Sequence, residues 1–273
     1  MTGSVPHHHP WFTPNIAFIA LMIGSCAAGS AALFAKVSPL DPIVTTFWRF
    51  AIATPVFLLC LIPLGLTQTV DHSVARLGFW PQNATDWGLM GLAGLCFAGA
   101  QMLWFLGLEH SSVANATLLL ALTPLIAGAV LGLLFAEPIG RRFWLGMGIA
   151  LLGVGGLSAI SAQQPGLVLY GDLLCLGSAV CLSGYFMCLA RLRRRFRAVP
   201  VMTLSAVACT LVMLITVGIR SAPILPTTTD AWMVVIGLAL VSQLFGHGLM
   251  TISIGFVAGR LAAVSVLIQP VWA

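Results

Sequence analysis

The stretch that decides the fold is Phe105–Glu137, which reads FLGLEHSSVANATLLLALTPLIAGAVLGLLFAE. It begins with a short polar turn, continues as a long apolar run with Pro124 near its middle, and closes on a glutamate. A second copy begins near Thr251 and reads TISIGFVAGRLAAVSVLIQPVWA. Setting Pro124 on Pro270 gives a spacing of 146 residues. This spacing predicts that the chain contains two copies of one structural unit.

The composition is that of an integral membrane protein. Hydrophobic residues make up 59% of the chain and charged residues 7%, against roughly 45–50% and 25% in soluble domains. Backbone polar groups in lipid must be bonded within their own segment, so long apolar runs predict helices. The sequence lacks the short alternating segments that are typical of a transmembrane barrel. We therefore predict an all-α membrane fold.

Apolar runs long enough to cross a bilayer, about 20 residues each, recur along the sequence. They fall at about 15–35, 43–66, 88–108, 113–136, 143–161, 170–190, 201–219, 231–255 and 259–273. We divide the chain into an N-terminal tail (1–14), a first five-span unit (15–161) and a second, incomplete unit (170–273). An odd number of spans inverts the second unit relative to the first, as in many secondary transporters. Completing a tenth span is expected to need about 30–35 residues beyond Ala273, by analogy with the first unit.

The distribution of basic residues predicts the orientation. With the N-terminus in the cytoplasm, the inner loops hold nine Lys and Arg residues and the outer loops hold two, Lys36 and Arg220. This bias favours that orientation in the cell membrane. The basic stretch 191–197 is interpreted as a topology anchor that faces anionic lipid. Because the net charge of +5 is explained in this way, no nucleic-acid partner is implied.

Two groups of motifs resemble the drug/metabolite transporter superfamily, in its branch of ten-helix EamA-like permeases. The first is FAKVSPLDPIVTTFWRFAIATPVFLL, in which Pro42 precedes Arg49 by seven residues. The second is WFLGLEHSSVANATLLLALTPLIAGAVLGLLFAEPIGRRFWLGMGIALLGV, with Pro124, Glu137 and a glycine-rich helix in the family's order. The second half departs from the pattern, because no arginine matches Arg49 there. The resemblance implies a ten-helix permease of two inverted repeats that exports amino acids, metabolites or drug-like compounds.

Arg49 is the foremost candidate for substrate binding. A charge inside a span costs at least ~2.5–3.5 kcal/mol, so it is expected to face a cavity or a partner. It could anchor a carboxylate or another anionic group of the substrate. The alternative is an arginine that snorkels outward or caps carbonyls of a neighbouring helix.

Other polar residues in the spans are further candidates. His247 and Gln243 are four residues apart and are expected to share a helix face, where His247 could bind substrate or carry a proton. Gln101 and Trp104 are three apart on the third span and could line a pore. Each of these could instead be a helix–helix contact. Asn115 and Thr117, and Tyr185, complete the substrate-binding candidates.

Three further residues are expected to have structural or gating roles. Pro124 and Pro270 are expected to bend the fourth and ninth spans and expose carbonyls there. Glu137 closes the fourth span, and its alternative is an interfacial charge that pairs with Arg141 or Arg142.

The sequence contains no pattern that implies a cofactor. There is no Walker A motif, no HExxH and no CxxC, so no metal, nucleotide or flavin is implied. No acidic residue lies deep in a span, and the coupling ion therefore stays open. We expect a non-enzymatic secondary transporter for a small molecule, working by alternating access in the bilayer. The alternatives are a non-transporting membrane subunit or sensor and a lipid-modifying enzyme, and a homodimer stays open.

Overall fold

The computed structural model describes residues 14–66, 78, 80–134, 140–163, 168–254 and 256, and these residues form a bundle of helices. The α-helices are α1 Pro14–Gly29, α2 Ala31–Val37, α3 Pro42–Leu66, α4 Ala84–His110, α5 Val113–Leu120, α6 Thr123–Leu134, α7 Arg141–Ala162, α8 Val168–Leu192, α9 Ala198–Arg220, α10 Thr229–Gly237 and α11 Gly248–Ile254. A π-helical segment, Leu238–His247, joins α10 to α11. The only β pairing in these ranges is an isolated bridge between Gly78 and Phe196.

Seven helical segments of the described chain are long and apolar enough to cross a membrane. They are Asn15–Val37, Pro42–Leu61, Ala84–His110, Val113–Val130, Val168–Leu192, Ala198–Arg220 and Thr229–Ile254. These segments confirm the prediction of an all-α integral membrane protein, and they overlap the predicted spans one to four and six to eight. The fifth predicted span is helix α7, whereas the ninth lies outside the described residues.

Helix α4 occupies the centre of the bundle, where it packs against α3, α8 and α9. Its crossing with α8 is close because glycines on both helices remove side-chain bulk. A Cβ at Gly107 would lie 2.4 Å from the Cys175 sulfur and 2.9 Å from the Gly171 carbonyl oxygen. The Ser178 hydroxyl donates to the Ala100 carbonyl, 2.7 Å away, across the same interface. Small residues therefore set the distance between these helices.

The fourth predicted span is broken at Pro124, as the sequence suggests. One apolar run becomes α5 and α6, with Pro124 in the first turn of α6. Proline has no N–H to donate to the carbonyl four residues earlier, which here belongs to Leu120. The Thr123 hydroxyl donates to that carbonyl instead, at 2.6 Å. The Ser183 hydroxyl on α8 donates to the Thr123 carbonyl at 2.8 Å, so the break is held against a neighbouring helix.

The span that contains His247 crosses α1 closely. Its π-helical segment crosses α1 at Gly246, where a Cβ would lie 2.6 Å from the backbone nitrogen of Ala28. In return, a Cβ at Gly24 of α1 would lie 3.0 Å from the Gly246 carbonyl oxygen. Short π-helical stretches occur often at functional sites. This one presents Ser242 and His247 to the middle of the bundle.

Candidate functional site

Arg49 is the polar centre of the bundle. It lies on α3 and is only 1% exposed. Its Nη1 donates to Oε1 of Gln101 on α4 at 3.0 Å, and its Nη2 donates to Oγ of Ser242 at 3.2 Å. The Ser242 hydroxyl in turn donates to the carbonyl of Ala28, 3.1 Å away. One guanidinium therefore connects α3 to α4 directly, and to α1 through the π-helical segment.

The charge of Arg49 has no counter-charge in the described part of the chain. The ion pairs among the described residues lie near the ends of the bundle, and none of them includes Arg49. The ring of Phe50 lies 5.3 Å from its Cζ atom, which gives a cation–π contact. A buried charge without a partner is costly, by several kcal/mol. The site is therefore electrostatically suited to an anion.

A small cavity of about 40 Å³ opens beside Arg49. Its polar lining comes from Arg49, Gln101, Trp104, Ser178 and His247. The rest of the lining is formed by Ala28, Ala31, Ala100, Leu120, Leu182 and Phe186. One water molecule needs about 10–15 Å³ of such volume, so the cavity has room for about three or four. It must enlarge before it can hold a metabolite.

Two of the lining side chains have hydrogen-bond donors to spare. Within the described residues, neither Nε of Arg49 nor Nε1 of Trp104 has a hydrogen-bond partner. Unpaired buried donors are rare in proteins and costly. Both groups donate and one of them is charged. The cavity is therefore chemically suited to a carboxylate or another oxygen acceptor.

An aromatic cluster stands behind His247. The imidazole packs edge-on to Phe97, with ring centroids 5.4 Å apart. Phe97 stacks on Tyr185 at 4.5 Å, and its edge meets Phe50 at 5.7 Å. Tyr185 is part of this cluster and does not line the cavity.

The structure brings together four of the eight predicted binding residues and separates the other four. Arg49, Gln101, Trp104 and His247 meet at one cavity. Gln243 is buried in the π-helical segment but is not part of the cavity lining.

Asn115 lies in the first turn of α5, where its backbone N–H donates to the Ser112 hydroxyl at 3.1 Å. It does not line the cavity, and neither does Thr117, whose hydroxyl bonds back to Val113 in its own helix. Glu137 and Pro270 lie outside the described residues.

Sequence reasoning missed Ser242, which holds Arg49 in place. The only signal in the sequence was a hydroxyl next to Gln243 inside an apolar run. Such serines are common in membrane helices, where they bond to backbone carbonyls. Nothing in the local sequence distinguishes this one.

One end of the bundle, which we call the basic end, is closed by contacts of the basic stretch 191–197. Arg195 pairs with Asp86 of α4 at 2.8 Å, and its carbonyl accepts from the N–H of Gly78 at 2.7 Å. Arg193 is buried, and its Nε donates to the carbonyl of Thr251 at 3.1 Å. Burial lowers the pKa of Arg193 to about 10. In addition to its predicted role as a lipid-facing anchor, this stretch joins α8 to α4 and α11.

The other end, which we call the Arg220 end, is joined by looser ion pairs. Arg220 at the end of α9 lies 3.6 Å from Asp41 and 3.6 Å from Glu109. Nearby, the Ser111 hydroxyl donates to the carboxylate of Asp172 at the start of α8. Both ends therefore have contacts between early and late helices, and the ion pair is shorter at the basic end.

Comparisons with known proteins give a consistent result. A model of the EamA-like transporter family matches residues 15–159. The uncharacterized transporter YyaM of Bacillus subtilis (strain 168) is 27% identical over 176 residues, which are 62% of this chain and 53% of that protein. The chain thus spans about half the length of this relative. A crystal structure of a protein aligns with TM-score 0.65 and 22% identity, over 95% of this chain and 86% of that one. At that identity the likeness shows the fold alone.

Proposed function

Because the chain belongs to the EamA-like transporter family, we propose that it is a secondary transporter that exports a small metabolite bearing an anionic or carboxylate group. The observation that carries this proposal is Arg49, a buried cation in the middle of the bundle with no ion pair among the described residues. A substrate anion would supply the missing charge. Trp104 and Gln101 are positioned at the same cavity to orient it. No bond of the substrate is broken, so the protein is not an enzyme in this proposal.

The transport cycle is proposed to work by alternating access between the two ends. The basic end faces the cytoplasm of the cell, in line with the excess of positive charge there, and the N-terminus is cytoplasmic. The proposal keeps the two inverted units that the sequence predicts, residues 15–161 and 170–273. Arg195–Asp86 and Arg220–Glu109 each join one unit to the other. One set of contacts breaks while the other stays formed, and the central cavity enlarges as either end of the bundle opens.

The proposal is tested by comparing the metabolites of cells that express the protein with those of cells that do not. We expect at least one compound with a carboxylate or other anionic group to be enriched in the medium of the expressing cells and depleted inside them. Depletion from the medium would reverse the direction. No difference, with the protein shown to be in the membrane, would contradict transport and favour a subunit or sensor role.

Weakening the contacts at the basic end is expected to open the cavity more often. The substitution Asp86→Asn removes the partner of Arg195, whose side chain is 67% exposed, so the pair contributes up to ~1 kcal/mol. With the seven native cysteines replaced by serine, Ala31→Cys places one thiol in the cavity lining. Asp86→Asn should speed its alkylation by about two- to fivefold, and high salt should reduce the difference.

A matched control for this experiment is Asp230→Asn, at an exposed carboxylate with no ion pair among the described residues. Its alkylation rate should equal that of the parent protein. Equal rates for Asp86→Asn and Asp230→Asn would show that the Arg195–Asp86 pair does not control access to the cavity.

A further inference from the structure

A second and larger cavity lies at the Arg220 end of the bundle. Its volume is about 180 Å³, against about 40 Å³ for the cavity beside Arg49. A cavity of about 150 Å³ can hold benzene, so this space is large enough for a small organic molecule. It is lined by Ala35, Lys36, Pro42, Thr45, Phe105, Leu108, Glu109 and Val113. In this conformation it is the larger of the two spaces.

The two cavities follow one another along the same helix faces. Four lining residues of the second cavity stand four positions from lining residues of the first, in each case towards the Arg220 end. The pairs are Ala31 and Ala35, Arg49 and Thr45, Gln101 and Phe105, and Trp104 and Leu108. Four residues of a helix rise about 6 Å and return to the same face. The second cavity therefore lies about one helical turn from the first.

A pair of aromatic rings stands between the cavities. Trp104 lines the first cavity and Phe105 lines the second. Their rings meet edge to face, with centroids 5.1 Å apart.

The second cavity offers a cation that is free to bind a ligand. Lys36 is exposed and makes no hydrogen bond or ion pair with another described residue. The carboxylate of Glu109 also lines the cavity, but it lies 3.6 Å from Arg220 and 3.9 Å from His110. Phe105, Leu108 and Val113 give the remaining wall an apolar surface. This arrangement fits a compound that joins an anionic group to an apolar body.

We propose that the second cavity is a binding subsite in which Lys36 holds the anionic group of the substrate, one helical turn from Arg49. This inference rests on the proposed function, because it assigns a second substrate-binding position to the same transport pathway. The substrate class that it names is a small carboxylate with an apolar body. The ammonium of Lys36 contacts the carboxylate, and the apolar wall contacts the rest.

The subsite can be tested by binding alone, with benzoate as the probe. Ligand-observed NMR on the protein in nanodiscs would give dissociation constants for the wild type, Lys36→Met, Lys36→Arg and Arg194→Met. We expect Lys36→Met to weaken benzoate binding by about tenfold or more, since a charge-assisted hydrogen bond contributes ~1.5–3 kcal/mol. Lys36→Arg should keep most of the affinity. Arg194→Met should keep it as well, because Arg194 is exposed in the basic stretch at the other end of the bundle. Neutral benzamide and cationic benzylamine should bind more weakly than benzoate.

A second variant tests whether benzoate occupies the cavity itself, independently of the charge of Lys36. Val113→Trp keeps Lys36 but fills the cavity from the start of α5, and it should remove benzoate binding while the melting temperature stays close to that of the wild type. Benzoate binding that is absent from the wild type, unchanged in Lys36→Met, or weakened equally in Arg194→Met would overturn the subsite. Lys36-dependent binding in a protein that moves no metabolite would support the subsite and contradict the transport function.

Discussion

Replacing Arg49 with methionine is expected to abolish transport and to leave the protein folded. The guanidinium is buried and has no ion pair among the described residues, so its desolvation is repaid only by the contacts with Gln101, Ser242 and Phe50. Methionine removes that desolvation cost but leaves Gln101 and Ser242 without the donor, which costs about 1–3 kcal/mol for each orphaned group, so the two effects oppose each other. Transport needs the charge to hold the substrate anion, and its loss should lower the rate by about 100-fold or more, from ~3 kcal/mol of lost charge-assisted bonding.

The measurement pairs a transport assay with thermal unfolding of the purified protein. Arg194→Met is the matched control, because Arg194 is exposed in the basic stretch and its loss changes the net charge by the same amount. It should transport normally. Arg49→Lys should be intermediate, since a single ammonium cannot reproduce the paired donors that contact Gln101 and Ser242. Normal transport by Arg49→Met, or a loss fully explained by unfolding, would show that Arg49 only joins helices.

Adding one methyl group at Gly246 is expected to destabilise the bundle strongly. In Gly246→Ala, the new Cβ would lie 2.6 Å from the Ala28 nitrogen and 3.0 Å from the Ala27 carbonyl carbon. These are backbone atoms and cannot rotate away, so α1 must move from the π-helical segment. Overpacking of this kind costs about 1–3 kcal/mol. Because His247 follows and Ser242 bonds to Ala28, transport should fall too.

The matched control is Gly91→Ala on α4, where a Cβ would meet nothing within 4 Å. Alanine has the higher helix propensity by up to ~1 kcal/mol, so this variant should be neutral or slightly stabilised. Both melting temperatures would be measured in the same detergent. Equal melting temperatures for Gly246→Ala and Gly91→Ala would contradict the close crossing of α1 with the π-helical segment.

The sequence by itself determined the all-α membrane fold and most of the span positions. It also indicated an irregularity next to Pro124 and marked Arg49, Gln101, Trp104 and His247 as polar candidates inside apolar runs. These inferences are local, because length and apolar content decide whether a segment enters a bilayer. A single polar residue in an apolar run is also conspicuous on its own.

Only the tertiary structure decided which polar residues meet. Arg49 forms hydrogen bonds to residues 52 and 193 positions away. Gln243 does not line the cavity, although its neighbour Ser242 accepts a hydrogen bond from Arg49. In a soluble protein an apolar stripe would show which helix face points inward. In a membrane the outward face is apolar too, because lipid replaces water as the solvent. The rotation of each helix is then set by small-residue contacts such as Gly246 against Ala28, which involve pairs of distant segments.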